Sequence, residues 1–223
     1  KENAFIPLDN YWDDYPEIKA LYTDAQWDIV RSEDGHIYYI PLFSAVYKED
    51  SSTVHDGEAF WIQIRVLEWA NYPELKTLDD YFGLIEDYIA AHPTDENGQP
   101  FIGYEIQAND TRFFALDNPP MFLEGYPNDG CCIVDPDTLE AKDYNLLPTA
   151  RTWFKKLNEE YGKGIIDPEC FVMETADYYD KILTGRVLGM VDQHWNFASS
   201  ERELPPECRY IPFGLTIDGK IQE

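Results

Sequence analysis

Apolar residues recur at helical spacing in three segments of the chain. Thr77 is the predicted N-cap of the first helix, Asp80 completes a capping box, and Pro93 ends the helix. The buried face of this helix is predicted to consist of Leu78, Tyr81, Phe82, Ile85 and Ile89. We predict a second helix over residues 149–161 and a third from residue 175 or 176 to residue 184. The inner face of the second helix is predicted to consist of Trp153, Phe154, Leu157 and Tyr161.

Shorter β-prone segments accompany these helices. The five predicted strands cover residues 36–40, 59–66, 101–106, 187–191 and 209–215. The second strand is predicted to have one apolar face and an opposite face that carries Trp61, Gln63 and Arg65. Because helices and strands alternate along the chain, with an irregular insertion over residues 107–147, the pattern predicts an α/β fold.

Polar side chains follow one of the apolar strands directly, in the segment LTGRVLGMVDQHWN (residues 183–196). Gly185 is predicted to end a helix, and residues 187–191 are predicted to form a buried strand. The residues that come next are Asp192, Gln193, His194, Trp195 and Asn196. Because ligands of open α/β sheets bind at the carboxyl ends of strands, this strand end is a candidate binding site.

The 223-residue chain is strongly acidic, with a formal net charge of -26. Such a surface repels phosphate backbones and anionic lipid, so we predict no nucleic-acid or peripheral membrane binding. No apolar run approaches the roughly 18 residues of a membrane span, and the opening KENAFIPLDN lacks the features of a secretory signal. Cys131, Cys132, Cys170 and Cys208 have neither zinc-site spacing nor a disulfide-framework pattern, so they are predicted to be small buried side chains or incidental thiols.

Motifs of catalytic and metal sites are absent from the sequence. There is no P-loop, no G-x-S-x-G, no H-E-x-x-H and no G-x-G-x-x-G. With 43 acidic residues, close carboxylate pairs are expected by chance. A calcium loop with Gly98 at its sixth position would have Pro93 and Tyr104 as its first and last ligands, so residues 95–98 are predicted to be only a turn. We predict no catalytic residue, no metal and no cofactor.

Three tryptophans lie beside polar side chains, in a pattern typical of sugar recognition. They are Trp12, Trp61 and Trp195, with carboxylate, amide or guanidinium groups close in sequence. An aromatic ring fits the C–H face of a sugar, and the polar groups bind its hydroxyls. The alternative is that these rings are half-buried core residues, which is the interpretation we prefer for Trp27 and Trp153.

Five segments in order resemble the extracellular solute-binding proteins of bacterial ABC importers (family 1, oligosaccharide-binding lipoprotein branch). The segments are FIPLDNYWDDYPEIKAL, DGHIYYIP, FWIQIRVLEWANYPELKTLDDYFGLIEDY, WFKKLNEEYGKGIIDPECF and ILTGRVLGMVDQHW. Gln63 and the pair Val66-Leu67 depart from the R-x-D-W motif of the family, in which only Arg65 and Trp69 fit.

The resemblance implies a periplasmic-binding-protein-like fold of type II, mainly its C-terminal lobe with part of the N-terminal lobe. It implies that residues 1–48 belong to the N-terminal lobe and the first hinge, residues 49–205 to the C-terminal lobe, and residues 206–223 to a strand that returns to the hinge. Family members continue on both sides of this region, so the resemblance implies a central fragment of a longer protein.

The resemblance also implies a function, which is to bind an oligosaccharide between two lobes and deliver it to ABC permease subunits, without catalysis. The predicted ligand-binding residues are Trp12, Tyr38, Trp61, Arg65, Asp192 and Trp195. A peptide-like ligand also fits the family. We expect a monomer that is lipid-anchored at the extracellular face of the bacterial membrane, or secreted.

Two other classes of protein stay open from the sequence. The first is a secreted glycosidase or a fragment of one, which turnover of glycosides would identify. The second is a non-catalytic adhesion or interaction domain that uses the same aromatic surface.

Overall fold

The computed structural model describes residues 4–41, 58–125, 132–135 and 138–219. The chain divides into two compact units, residues 1–44 and residues 45–223. The predicted boundary at residues 48 and 49 and the residue Cys131 lie outside the described residues.

Two short helices, α1 (Pro16–Lys19) and α2 (Asp24–Ile29), lie in the described part of the first unit, after a 3-10 turn at Leu8–Tyr11. Thr23 and Gln26 form a capping box that begins α2 and satisfies amide groups of its first turn. The core of this unit consists of Trp27, Val30 and Ile37, with Trp12 and Tyr22 packed against it. The prediction that Trp27 is a core residue is confirmed.

The strand predicted over residues 36–40 is wrong, because these residues form no strand pairing with any other described part of the chain. Ile37 donates its amide hydrogen to the carboxylate of Asp9 at 3.0 Å and accepts from the amide of Leu8 at 2.7 Å. The backbone groups of Ile37 are thus bonded to the Asp9 side chain and the Leu8 backbone instead of to a neighbouring strand. The turn predicted before this segment is confirmed, with Gly35 at a φ of 86°.

The described part of the second unit contains six strands. They are β1 (Glu58–Gln63), β2 (Ile102–Glu105), β3 (Ile133–Val134), β4 (Ala141–Lys142), β5 (Val187–Gln193) and β6 (Tyr210–Phe213). Four of them form a sheet in the order β2-β5-β1-β6, and β3 pairs with β4. β5 is antiparallel to β1 and parallel to β2. The amino end of β1 therefore lies at the same edge of the sheet as the carboxyl ends of β2 and β5.

The helices of the second unit are α3 (Ile64–Trp69), α4 (Leu78–Ala91), α5 (Phe114–Asp117), α6 (Pro119–Leu123), α7 (Pro148–Gly162), α8 (Thr175–Leu183) and α9 (His194–Arg202). Further 3-10 turns are Asp110–Phe113, Tyr144–Leu146 and Pro206–Cys208. The three predicted helices are confirmed as α4, α7 and α8, and the capping box of Thr77 and Asp80 is present. Phe154 and Tyr161, predicted on the inner face of α7, are instead 40% and 45% exposed.

The strand predicted over residues 59–66 ends at Gln63, where α3 begins. The amide of Ile64 donates to the carbonyl of Arg209 at 2.8 Å, and the chain then turns Val66 and Leu67 into the core. The helix forms because its apolar residues can be buried together on one side, which an extended continuation of β1 could not do.

Both faces of β1 are buried, so the prediction of one polar face is wrong. Phe60 and Ile62 belong to a core beneath α4 and α7. Ala59 and Trp61 belong to a second core beneath α8 and α9. Trp153 is fully buried in the first core, as predicted.

The cysteines in the described part of the chain are unpaired thiols. Cys170 and Cys208 are buried in the two cores, as predicted, whereas Cys132 is exposed. Among the described residues, no helix combines the length and the apolar character needed to cross a membrane.

Candidate functional site at one edge of the sheet

The carboxyl end of β5 carries a buried acid, Asp192, whose two carboxylate oxygens both accept hydrogen bonds from the protein. The Oδ2 atom of Asp192 accepts from Arg112 at 3.1 Å and from the hydroxyl of Tyr178 at 2.5 Å. Its Oδ1 atom accepts from the amide of Gln193 at 2.7 Å and from the side chain of Asn196 at 2.8 Å. Burial raises the pKa of Asp192, although Arg112 and these hydrogen bonds act in the opposite direction. The carboxylate therefore connects the end of β5 to the turn that carries Arg112, to α8 and to α9.

Arg112 is the cationic partner in this cluster, and its side chain is only 10% exposed. Its guanidinium lies 5.1 Å from the ring centroid of Tyr178 and 5.9 Å from that of Tyr179, so it also makes cation–π contacts. Arg112 comes from the 3-10 turn inside the insertion that was predicted only to be irregular. No local pattern in the sequence distinguishes it from other basic residues.

A second polar cluster begins at the amino end of β1, where Glu58 pairs in register with Gln193. The Oε2 atom of Glu58 accepts from the side-chain amides of Asn118 and Gln193, each at 3.3 Å. The Oδ1 atom of Asn118 accepts from the hydroxyl of Tyr144 at 3.0 Å. Glu58 is fully buried, and burial together with the charge of Asp192 raises its pKa to about 7.

A third polar cluster lies at the carboxyl end of β2. Glu105 is fully buried, and burial and the neighbouring carboxylate of Asp167 raise its pKa to about 9. Lys181 binds the Oδ2 atom of Asp167 at 2.7 Å, which keeps that acid charged beside a neutral Glu105. Gln107 donates to the hydroxyl of Thr175 at 3.0 Å and so joins the loop after β2 to α8.

Trp195 is the prominent exposed side chain beside these clusters. It lies in the first turn of α9 and is 70% exposed. Gln193 ends β5 immediately before this helix, so the predicted strand end is in fact a junction between a strand and a helix. An exposed indole next to fixed amide groups can bind a ring with an apolar face and polar edges.

Trp61 lies close to Trp195 in the fold but is only 6% exposed. Its indole donates to the carbonyl oxygen of Asp192 at 2.7 Å and stacks on His194, with 5.2 Å between ring centroids. These contacts make Trp61 a support for the junction of β5 and α9. The structure thus brings three predicted site residues together, namely Trp61, Asp192 and Trp195.

Arg65 is not part of this group. It lies in α3, after the carboxyl end of β1, which is the opposite edge of the sheet. There its guanidinium contacts the thiol of Cys208 and lies 5.5 Å from the ring centroid of Phe101. These residues line a cavity of about 460 Å³ that also includes His92.

Trp12 and Tyr38 belong to the first unit. Trp12 packs against Trp27, with 5.2 Å between ring centroids, and lies beside an apolar cavity of about 360 Å³. The hydroxyl of Tyr38 donates to the carboxylate of Asp34 at 2.7 Å. Both side chains are partly exposed.

Comparison with solved structures reveals the fold. The chain is similar to the S. pneumoniae ABC-transporter substrate-binding protein FusA in complex with kestose, with a TM-score of 0.58 and 22% identity over 84% of this chain and 38% of that one. It is also similar to an HMO-binding solute-binding protein from Bifidobacterium longum infantis, with a TM-score of 0.62 and 16% identity over 94% of this chain and 43% of that one. The chain has the periplasmic-binding-protein-like fold.

This periplasmic-binding-protein-like chain resembles maltose-bound T. maritima MalE3 as well, with a TM-score of 0.60 and 12% identity over 97% of this chain and 50% of that one. It therefore spans half or less of the length of these three structures. No protein-family model matches the sequence, and no curated protein matches it.

Proposed function

We propose that this chain is the carbohydrate-binding part of a solute-binding protein of an ABC importer. The observation that carries the proposal is Trp195, an indole 70% exposed beside ordered amide side chains at the carboxyl end of β5. The sugars named with similar structures, kestose for FusA and maltose for MalE3, support an oligosaccharide as the ligand.

In this proposal the second unit is most of the C-terminal lobe and the first unit is part of the N-terminal lobe. Trp195 stacks on a sugar ring, and the partly exposed Gln193 binds a hydroxyl. Trp12 and Tyr38, which belong to the first unit, are further ligand contacts in this proposal. Trp61 and Asp192 support the ligand site rather than bind a hydroxyl, because their polar atoms are hydrogen-bonded to other groups at the end of β5. Arg65 has no ligand contact in this proposal.

The complete protein would act as a monomer at the extracellular face of a bacterial cell, lipid-anchored or secreted, and deliver its sugar to permease subunits. The net charge of -26 favours neutral sugars over anionic ligands.

Binding without hydrolysis is favoured over a glycosidase by the burial of the acids at this edge. A raised carboxyl pKa is typical of a general acid, and Glu58 and Glu105 both have one. Both side chains are fully buried, however, so neither can reach a glycosidic bond in this conformation.

The test is calorimetric titration of the chain with kestose, maltose and milk oligosaccharides, together with product analysis after long incubation. We expect weak binding, because one lobe supplies only part of the contacts, and no hydrolysis. Trp195→Ala should abolish the binding without lowering the thermal stability. Trp69→Ala, which removes an indole 44% exposed on α3, is the matched control and should keep the affinity. Unchanged affinity of Trp195→Ala would reject the stacking role, and turnover of any sugar would favour the glycosidase.

A further inference from the structure

Glu58 and Gln193 face each other across the two central strands, at the edge that carries Trp195. The carboxylate of Glu58 receives the Nε2 group of Gln193 and the Nδ2 group of Asn118 on the same oxygen. Gln193 is the residue before α9, yet its side chain does not cap that helix. Its amide is directed to Glu58 instead.

The orientation of an amide group depends on the charge of the acid that holds it. A carboxylate has no hydrogen to donate, so it accepts from the NH₂ end of an amide. With Nε2 of Gln193 bound to Glu58, the carbonyl oxygen Oε1 is directed away from that acid. A protonated carboxyl group carries a hydrogen as well, so it can also donate to Oε1, and the amide is then no longer held in one orientation.

The surroundings of Glu58 make its proton state adjustable near neutrality. It is fully buried, and the negative charges of Asp192 on β5 and Asp117 on α5 face it. Burial is the largest cause of its raised pKa of about 7, which the amide hydrogen bonds partly oppose. His194 also lies at this junction, where its ring contacts the carboxylate of Glu201 at 2.9 Å.

We propose that Glu58 is a positioning residue of the sugar site, whose negative charge orients the Gln193 amide with its oxygen towards a ligand hydroxyl. Sugar affinity is thereby coupled to the release of a proton from Glu58. This inference rests on the proposed function and names one chemical requirement of the ligand, a hydroxyl that donates a hydrogen bond next to the ring stacked on Trp195.

The first experiment needs no ligand. The side-chain amide signals of Gln193 and Asn118 are followed by NMR between pH 5.5 and pH 8.5. We expect both to move with one midpoint near pH 7, and we expect E58Q to remove that transition. Amide signals of Gln193 that stay constant over this range would overturn the inference.

The second experiment measures oligosaccharide affinity over the same pH range. The loss of one oriented hydrogen bond corresponds to about a 5-fold weaker affinity, so wild-type affinity should rise by about that factor from pH 5.5 to pH 8.5. E58Q should bind with an affinity that does not depend on pH. The matched control is E207Q, at an exposed acid in the 3-10 turn before β6, which should keep the wild-type profile.

The outcomes separate this inference from the proposed function. A pH profile that persists in E58Q would assign the effect to another group and overturn the role of Glu58. Amide signals that titrate while affinity stays constant would also overturn it. The absence of sugar binding at every pH, with amide signals that titrate as expected, would instead reject the proposed function.

Discussion

Arg112 donates to the Oδ2 atom of Asp192 at 3.1 Å across 80 positions of the sequence. Both side chains are nearly excluded from water, at 10% and 2% exposed. The ion pair fastens the turn before α5 to the carboxyl end of β5, beside the exposed Trp195. Together with Tyr178 and Asn196, Arg112 holds the Asp192 carboxylate at the junction between β5 and α9.

Removing both partners of this ion pair should cost less free energy of unfolding than the two single removals added together. Arg112→Ala leaves a buried carboxylate without its cation, which costs about 3–5 kcal/mol of the free energy of unfolding. The double variant Arg112→Ala with Asp192→Asn should lose less than the sum of the two single variants. Urea unfolding of all four proteins measures the coupling, and strictly additive losses would contradict this prediction.

The buried acid Glu105 should make the second unit less stable as the pH rises. Its pKa of about 9 lies above the ordinary value of 4.5, so the folded state binds more protons than the unfolded state between these values. The free energy of unfolding therefore falls as the pH increases towards 9. Glu58 also lowers the free energy of unfolding as the pH rises, but only up to its pKa of about 7. Of these two acids, only Glu105 therefore contributes to the fall between pH 7 and pH 9.

Glu105→Gln should remove this fall in stability above pH 7, which for a single group amounts to at most about 1.4 kcal/mol per pH unit. The glutamine can still accept from the amide of Ile106, as Glu105 does at 3.0 Å, and it has a hydrogen to donate to Asp167. Urea unfolding at a series of pH values measures the effect. Glu68→Gln, at an exposed acid of α3, should leave the slope unchanged, and an equal change in both variants would refute the explanation.

Gly189 should not tolerate a side chain, because it lies where β5 meets α4. A Cβ atom there would overlap the hydroxyl of Tyr81 and lie 2.9 Å from Cδ1 of Ile85. That hydroxyl donates to the carbonyl of Trp61 at 2.5 Å and cannot move without losing a buried hydrogen bond. We expect Gly189→Ala to cost about 2–3 kcal/mol in thermal or urea unfolding.

The control for this prediction is Gly83→Ala in α4, where a Cβ atom meets no other atom within 4 Å. Alanine favours the helix by about 0.5–1 kcal/mol over glycine, so this variant should be more stable than the wild type. If Gly189→Ala were as stable as Gly83→Ala, the close contact with Tyr81 would not exist.

The capping box of α4 should contribute measurably to stability. The hydroxyl of Thr77 accepts from the amide of Asp80 at 3.2 Å, and the Asp80 carboxylate accepts from the Thr77 amide at 2.9 Å. Thr77→Ala should cost about 1 kcal/mol in urea unfolding. Thr152→Ala, at an exposed position inside α7, is the control and should be neutral or stabilising, because alanine has the higher helix propensity. Equal effects of the two changes would argue against a capping role.

Local patterns were sufficient to predict the elements whose stability depends on nearby residues. The capping box and apolar periodicity located α4, and the apolar run from Val187 located β5. Both predictions succeeded because the interactions concerned join residues a few positions apart. The same reasoning placed Trp27 and Trp153 in cores, since each lies on an apolar helical face.

The prediction of one polar face for β1 failed for a physical reason that the local pattern does not contain. An alternating segment can be a strand with one polar face or a strand between two cores, and the choice depends on what packs against it. Here α8 and α9 cover the face that carries Trp61, and α4 and α7 cover the other face.

The sequence by itself determined an α/β chain, its main helices and central strand, and the position of a tryptophan directly after that strand. Tertiary structure alone decided that Asp192 is bound to Arg112 and Tyr178, and that Arg65 lies at the opposite edge of the sheet. Helical and strand periodicities depend on neighbouring residues, whereas the partners of a buried charge come from distant segments and are selected only when the chain packs.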